Sequence, residues 1–264
     1  MKKGIVLMNL GSPDSTQVKD VRKYLDEFLM DERVIDYPKL LRTLLVKGII
    51  VPFRSPKSAE AYKSIWTEQG SPLIVLTKTL QVALSQNMPE HQIEIAMRYG
   101  NPSVKTAFDN LGEMNIDQVL AIPLYPHYAM SSYETAVAYA QKIHKEGNYP
   151  FSLEFIKPYY NNEKYIHALS ESIRPYLAGE YEHILFSYHG VPERQIRKGD
   201  PTGCHCLKVN DCCNVDSPAH AKCYRNHCHV TTQMVTKKLG IPEEKYTMSF
   251  QSRLGKEEWL KPYT

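Results

Sequence analysis

Short apolar runs separated by amphipathic stretches set the rhythm of this chain. Six runs, at residues 4–10, 93–99, 119–124, 151–156, 184–188 and 246–252, have the length and composition of strands. The stretch after the first run opens near the cap candidates Ser15 and Thr16 and puts Val18, Val21, Leu25, Phe28 and Leu29 on one helical face. Further helical patterns cover 104–111, 132–143, 165–176 and 230–239. Strands alternating with helices predict an α/β protein with mainly parallel sheets, in which ligands gather at the carboxyl ends of the strands. The rhythm restarts after about residue 150, one domain length along. Two lobes are therefore expected, 1–155 and 156–264, with Gly147-Asn148-Tyr149-Pro150 as the nearest turn cluster.

The post-strand loops carry the candidate chemistry. His189 closes the run Ile184-Leu185-Phe186-Ser187-Tyr188 and precedes Gly190-Val191-Pro192, which puts it at the carboxyl end of a strand expected to be buried. For a lone post-strand histidine a loop hydrogen bond is the commoner explanation, so the motif by itself is only suggestive. Three other post-strand segments share a polar and aromatic character: Arg98-Tyr99-Gly100-Asn101-Pro102, Tyr125-Pro126-His127-Tyr128 and Gln251-Ser252-Arg253. Each alone is an ordinary turn, but their common position favours one cleft.

Composition narrows the classes. With 42% hydrophobic and 23% charged residues over 264 positions, a packed globular fold is expected. The net charge of +3, spread along the chain, argues against nucleic acid as a partner. The N-terminal apolar run ends in Gly11-Ser12-Pro13 without a small-residue cleavage site, so it reads as a strand and not as a signal peptide. Residues 40–53 are interrupted by Arg42, Lys47, Gly48 and Pro52, too often for a membrane-spanning helix. All six cysteines fall between Cys204 and Cys228, interleaved with His205, His220 and His227. That clustering suits one local metal or cluster site in a cytoplasmic protein, Zn²⁺ or a [2Fe–2S] group, better than a secreted disulfide framework.

The segments NLGSPDS, FRSPKSAEAYKSIW, GSPL, MRYGNPS, PLYPHY, SYHGVPER, KGDP and FQSRLGKEEWLKPYT occur in the order found in ferrochelatases, so the chain resembles that family from its first strand to its last residue. The resemblance implies the chelatase fold: two flavodoxin-like lobes with parallel sheets and a porphyrin cleft between them. It also implies a lyase of heme biosynthesis that inserts Fe²⁺ into protoporphyrin IX to give protoheme, the terminal step. His189 matches the catalytic, metal-site histidine, and a neutral imidazole can either accept a pyrrole proton or ligate the metal. The porphyrin-binding residues of the family map onto Arg54, Tyr62 and Ser71, and Arg98 and Tyr99 match cleft residues. Leu10 stands where members acting on coproporphyrin carry a tyrosine, which favours protoporphyrin. Leu40, Leu41, Leu44, Leu45, Ile49, Ile50 and Phe53 resemble the apolar lip of the pocket, suited to an apolar porphyrin, to peripheral contact with the inner membrane surface, or to core packing.

Some ferrochelatases hold a [2Fe–2S] cluster in an internal segment like 199–229. The resemblance thus tilts the choice to the cluster over Zn²⁺, with Cys206, Cys213, Cys223 and Cys228 as ligands and Cys204 and Cys212 as alternates. The chain stops at Thr264, where ferrochelatases continue; the second lobe is expected to be incomplete, the glutamate partner of His189 to lie beyond, and this chain alone to show little activity. A chelatase loading cobalt or nickel, or a non-catalytic porphyrin or iron–sulfur fragment, are the competing readings. Nothing in the sequence bears on oligomeric state.

Overall fold

A computed structural model describes residues 2–253 and 257–264. It divides into two compact units, residues 2–125 with 130–157, and residues 126–129 with 158–264. Leu254, Gly255 and Lys256 of the last ferrochelatase-like segment lie outside the described residues.

The first unit is a four-stranded parallel sheet in the order β2-β1-β3-β4, built from β1 (Lys3–Ser12), β2 (Gln92–Gly100), β3 (Gln118–Pro123) and β4 (Ser152–Phe155). Its helices are α1 (Val18–Leu29), α2 (Lys39–Leu45), α3 (Val51–Ile65), α4 (Pro72–Asn87), α5 (Val104–Glu113) and α6 (Thr135–Gly147). Side chains alternate across a strand, so β1 serves two cores at once. Val6 and Met8 pack with Val104, Phe108, Leu111, Ala136 and Ala140 of α5 and α6 on one face. Ile5 and Leu7 pack with Ile93, Ile95 and Met97, and with Leu73, Ile74 and Leu84 of α4, on the other.

The sequence pattern misses α2, α3 and α4. The reason is visible in their exposure: Leu40 and Phe53 are each 75% exposed, and Leu76 of α4 is 69% exposed. Apolar residues face outward as well as inward, which erases the one-sided stripe that marks an amphipathic helix. Pro56 sits inside α3, where it removes a backbone donor; a helical turn of wider pitch at Val46–Ile50 joins α2 to α3. No helix among the described residues is long and apolar enough to cross a membrane.

The second unit holds two parallel strands, β5 (Ile184–His189) and β6 (Tyr246–Gln251), with α7 (Glu163–Ile173), α8 (Glu193–Gly199) and α9 (Tyr224–Leu239). Here an expectation fails. β5 is not buried: Leu185, Ser187 and His189 are exposed while Ile184, Phe186 and Tyr188 are only half-buried. His189 is itself the last residue of the strand, paired in register with Gln251.

At the carboxyl end of the first sheet the backbones of β1 and β2 approach so closely that only glycine fits. A Cβ on Gly11, whose φ is +107°, would lie 1.8 Å from the Tyr99 carbonyl oxygen. Gly11→Ala is expected to cost about 3 kcal/mol or more in urea denaturation. Gly48→Ala, in an open helical position with nothing within 4 Å, should instead add up to about 1 kcal/mol.

Candidate functional site

In the first unit, the carboxyl ends of β1 and β2 bring Leu10, Arg98 and Tyr99 beside α1 and α3. Arg98 is not a free cation. Its guanidinium pairs with Asp31, donates from Nε to Thr135 Oγ1 at 2.8 Å, and lies over the Tyr99 and Tyr139 rings at 4.3 and 4.2 Å. The same Asp31 oxygen accepts from the Tyr99 phenol at 2.9 Å and from the Thr135 hydroxyl, while its partner oxygen takes the Arg33 N–H at 2.8 Å. Burial alone would raise the Asp31 pKa. The hydrogen bonds from Thr135 and Arg33, the Arg98 charge and the Tyr99 phenol outweigh it and hold the carboxyl below the usual carboxylate range.

Around this pair stand Tyr24, Tyr62, Tyr99 and Tyr125, with Tyr139 on the far side of the guanidinium. Tyr24 donates to the Gly11 carbonyl at 3.2 Å and meets Tyr62 and Tyr99 edge-on, with ring centroids 6.3 and 6.5 Å apart. Burial pushes the Tyr62 phenol up, against the opposing pull of its bond to Tyr24 and of the Arg54 charge. Tyr125 is buried deeply enough to lift its phenol far above the ordinary value, and its hydroxyl has no hydrogen-bond partner among the described residues. Leu10 packs against this aromatic group. Arg54, by contrast, is exposed on α3 and makes no salt bridge among the described residues, and buried Ser71 opens α4 without a capping bond from its hydroxyl. Arg98, Tyr99, Tyr62 and Leu10 are marked by the sequence, whereas Asp31, Tyr24 and Thr135 are not. Asp31 follows an ordinary amphipathic helix, and nothing in its local pattern announces a partner 67 positions away.

In the second unit, alternation along β5 sends Tyr188 and His189 to opposite faces. Tyr188 packs against Phe250 and His127, and its hydroxyl sits 2.9 Å from Thr232 Oγ1. His189 stays accessible, yet partial desolvation by its surroundings lowers its imidazole pKa below the ordinary value. It is therefore neutral at neutral pH, with a lone pair available for a proton or a metal. Gly190 fixes the chain just beyond it, donating to the Gln251 carbonyl at 2.7 Å.

The cysteine segment forms one core with the residues flanking His189: Cys206, Cys223 and Cys228 pack with Val191, Phe250, Tyr188 and Tyr224. Cys212 is also buried, Cys213 partly so, and Cys204 is exposed. Asp200, from KGDP, organises the segment by accepting from the backbone N–H groups of Thr202, His205 and Cys206, each at 2.9 Å. Despite the cost of desolvation, these bonds and one from the Thr202 hydroxyl hold its carboxyl far below the usual range. Among the described residues no three His, Cys, Asp or Glu side chains stand ready as a metal ligand set. The donor chemistry nonetheless suits a thiophilic group. Burial pushes the Cys206, Cys213 and Cys223 thiols up, so a cation bound there would have to displace their protons.

Two histidines tie this segment to the turn at residues 126–129. His227 accepts from the Tyr128 N–H at 3.0 Å and donates to the His220 carbonyl at 2.8 Å; Tyr160 stacks on its ring at 3.6 Å. His127 lies 3.0 Å from Thr231 Oγ1. Burial lowers both imidazoles to about 4. Because these folded-state values lie below the unfolded one, the stabilisation is complete above about pH 6.5 and drains away as the pH falls towards 4. Each histidine contributes at most about 3 kcal/mol to that loss. His127→Gln should flatten the fall in thermal midpoint between pH 7 and pH 5. In the first unit, Asp31→Asn should cost about 3–5 kcal/mol in chemical denaturation by leaving Arg98 buried without its counter-charge.

A family model described as Ferrochelatase matches residues 2–264. Among curated relatives, a ferrochelatase of Opitutus terrae is 46% identical over 267 residues, covering 99% of this chain and 76% of that protein. Those of Pseudomonas syringae pv. tomato and Pseudomonas entomophila are 46% and 45% identical, each over 98% of this chain and over 76% and 77% of their own lengths.

Proposed function

The chain belongs to the ferrochelatase family, and we propose that His189 is the residue through which it inserts ferrous iron into protoporphyrin IX. The observation that carries this reading is a neutral, accessible imidazole at the carboxyl end of β5, held between a half-buried Tyr188 and a backbone-locked Gly190. Porphyrin and Fe²⁺ are the substrates. Insertion exchanges two pyrrole protons for one divalent cation, so the site must take protons without holding a positive charge of its own against the incoming metal. A histidine whose pKa is lowered does both: it accepts a proton transiently and returns to the neutral form.

Binding falls to side chains of the first unit. Arg54, exposed and without a salt bridge among the described residues, suits a propionate, with Tyr62 and Ser71 as hydroxyl donors. Arg98 and Tyr99 serve differently. Their polar atoms are committed to Asp31, so they position the aromatic wall that Leu10 extends and leave propionate to Arg54. The exposed apolar residues of 40–53 offer a porphyrin, or the surface of a bilayer, an apolar rest. The cysteine segment would offer its thiols to a [2Fe–2S] cluster or Zn²⁺, and such a group, where bound, would cross-link the segment. Free thiols in such number suit a reducing, cytoplasmic compartment.

His189→Ala is expected to lower the rate of anaerobic heme formation by a factor of about 10²–10⁴ while porphyrin affinity, read by fluorescence, changes only severalfold. A variant within a few-fold of the wild-type rate would refute the role. With wild-type protein, turnover on protoporphyrin should exceed that on coproporphyrin; a strong preference for coproporphyrin would count against Leu10 as the specificity residue.

A further inference from the structure

Asp31 stands where elements of the first unit meet, and four donors converge on its carboxylate. One oxygen takes the Arg98 guanidinium, the Tyr99 phenol at 2.9 Å and the Thr135 hydroxyl; the other takes the Arg33 N–H at 2.8 Å. Only 4% of the Asp31 side chain and 11% of the Arg98 side chain is exposed, so the pair is little screened by water or salt. No neutral side chain of the same size fills this place. Asparagine offers one acceptor oxygen for four donors and turns an NH₂ group towards one of them.

The turn that carries Asp31 is itself fixed. The Asp31 carbonyl accepts from the Val34 and Ile35 N–H groups at 3.1 and 2.9 Å. At the far end of the turn Arg42, buried on α2, donates to the Ile35 and Tyr37 carbonyls at 3.1 and 3.2 Å. The turn into α2 therefore starts from the residue that pins Arg98 and Tyr99. Both rest on one core, in which Leu29, Val46, Val51 and Tyr99 pack together with Leu10, Ile35 and Tyr62 against them.

Tyr99 is fully buried, so it acts on a ligand only through its neighbours. Phe28 meets its ring edge-on with centroids 5.2 Å apart and Tyr24 at 6.5 Å, and Tyr62 meets Tyr24 in turn at 6.3 Å. Leu10 and Tyr62 are half-buried and keep surface for a ligand. A shift of the Tyr99 ring is thus passed to the accessible residues by packing.

We propose that Asp31 is a positioning residue of the porphyrin-binding wall: by fixing Tyr99 and the turn into α2 it sets where Leu10 and Tyr62 meet the macrocycle, without touching it. The proposal rests on the reading of the first unit as the side that binds porphyrin. It gives one carboxylate two roles, stability and placement, and these respond differently when the buried charge is removed singly or together with its partner.

The test is protoporphyrin binding, read by fluorescence titration and by the Soret band of the bound porphyrin, on chains shown by circular dichroism to be folded. Asp31→Asn should weaken binding about tenfold or more and broaden the band. Tyr99→Phe, which keeps the ring and removes one donor, should weaken it about threefold, and carries the test should Asp31→Asn fail to fold. The double variant Asp31→Asn, Arg98→Met leaves no unpaired charge and should regain most of the urea midpoint while staying about fivefold or more weaker in binding. Binding within twofold of wild type in Tyr99→Phe and in folded Asp31→Asn, or recovery of both midpoint and affinity in the double variant, would overturn the placement role and leave the porphyrin reading intact. Wild-type chain that does not bind protoporphyrin would overturn both.

Discussion

One carboxylate oxygen of Asp31 receives three donors, from Arg98, Tyr99 and Thr135, and the carboxyl end of the first sheet is assembled around it. Arg98 and Tyr99 belong to β2 and Thr135 to α6, and the acceptor follows α1. Without the acceptor, Arg98 would be a charge with little water to screen it and two aromatic faces as company. With it, the Tyr99 ring is pinned where Phe28 and Tyr24 can pack against it, and the glycines at 11 and 100 let the strands close behind. A fixed aromatic wall of this kind supplies pre-organised contact area, which a flat macrocycle can use without ordering loops first.

The strands and the parallel topology were legible because short apolar runs mark β1 and β2, which are buried on both faces, and alternation marks β3. The outer helices were not. In α2, α3 and α4 the apolar side chains that would mark an inner face recur on the outer one, as Leu40, Phe53 and Leu76 do, and the period dissolves. The ordered segments named Arg54, Tyr62, Arg98, Tyr99 and His189 as a group, whereas Asp31 and Tyr24 emerge only once the chain is folded. Similarly, α9 was hidden at its start, because a cysteine at the cap and two histidines in the first turns look like ligands before they look like helix.

The second unit shows how a strand can separate two tasks between neighbours. Tyr188 turns inward to the core that contains Cys206, Cys223 and Cys228, while His189 turns outward with its lone pair free. One peptide unit therefore lies between the cysteine-built core and the proposed site of metal insertion. Asp200, through four hydrogen bonds to residues 202–206, and the chain of His205, His220 and His227 make the segment specific in shape as well as apolar in content.

The outward leucines and Phe53 of α2 and α3 also decide how the protein behaves as a colloid. Excluded salts such as sulfate raise the effective attraction between such surfaces, and mild detergents mask them. Concentrated stocks should cloud first through this one region, and a porphyrin stacked there would compete with self-association. Solubility and substrate capture would then draw on the same few side chains.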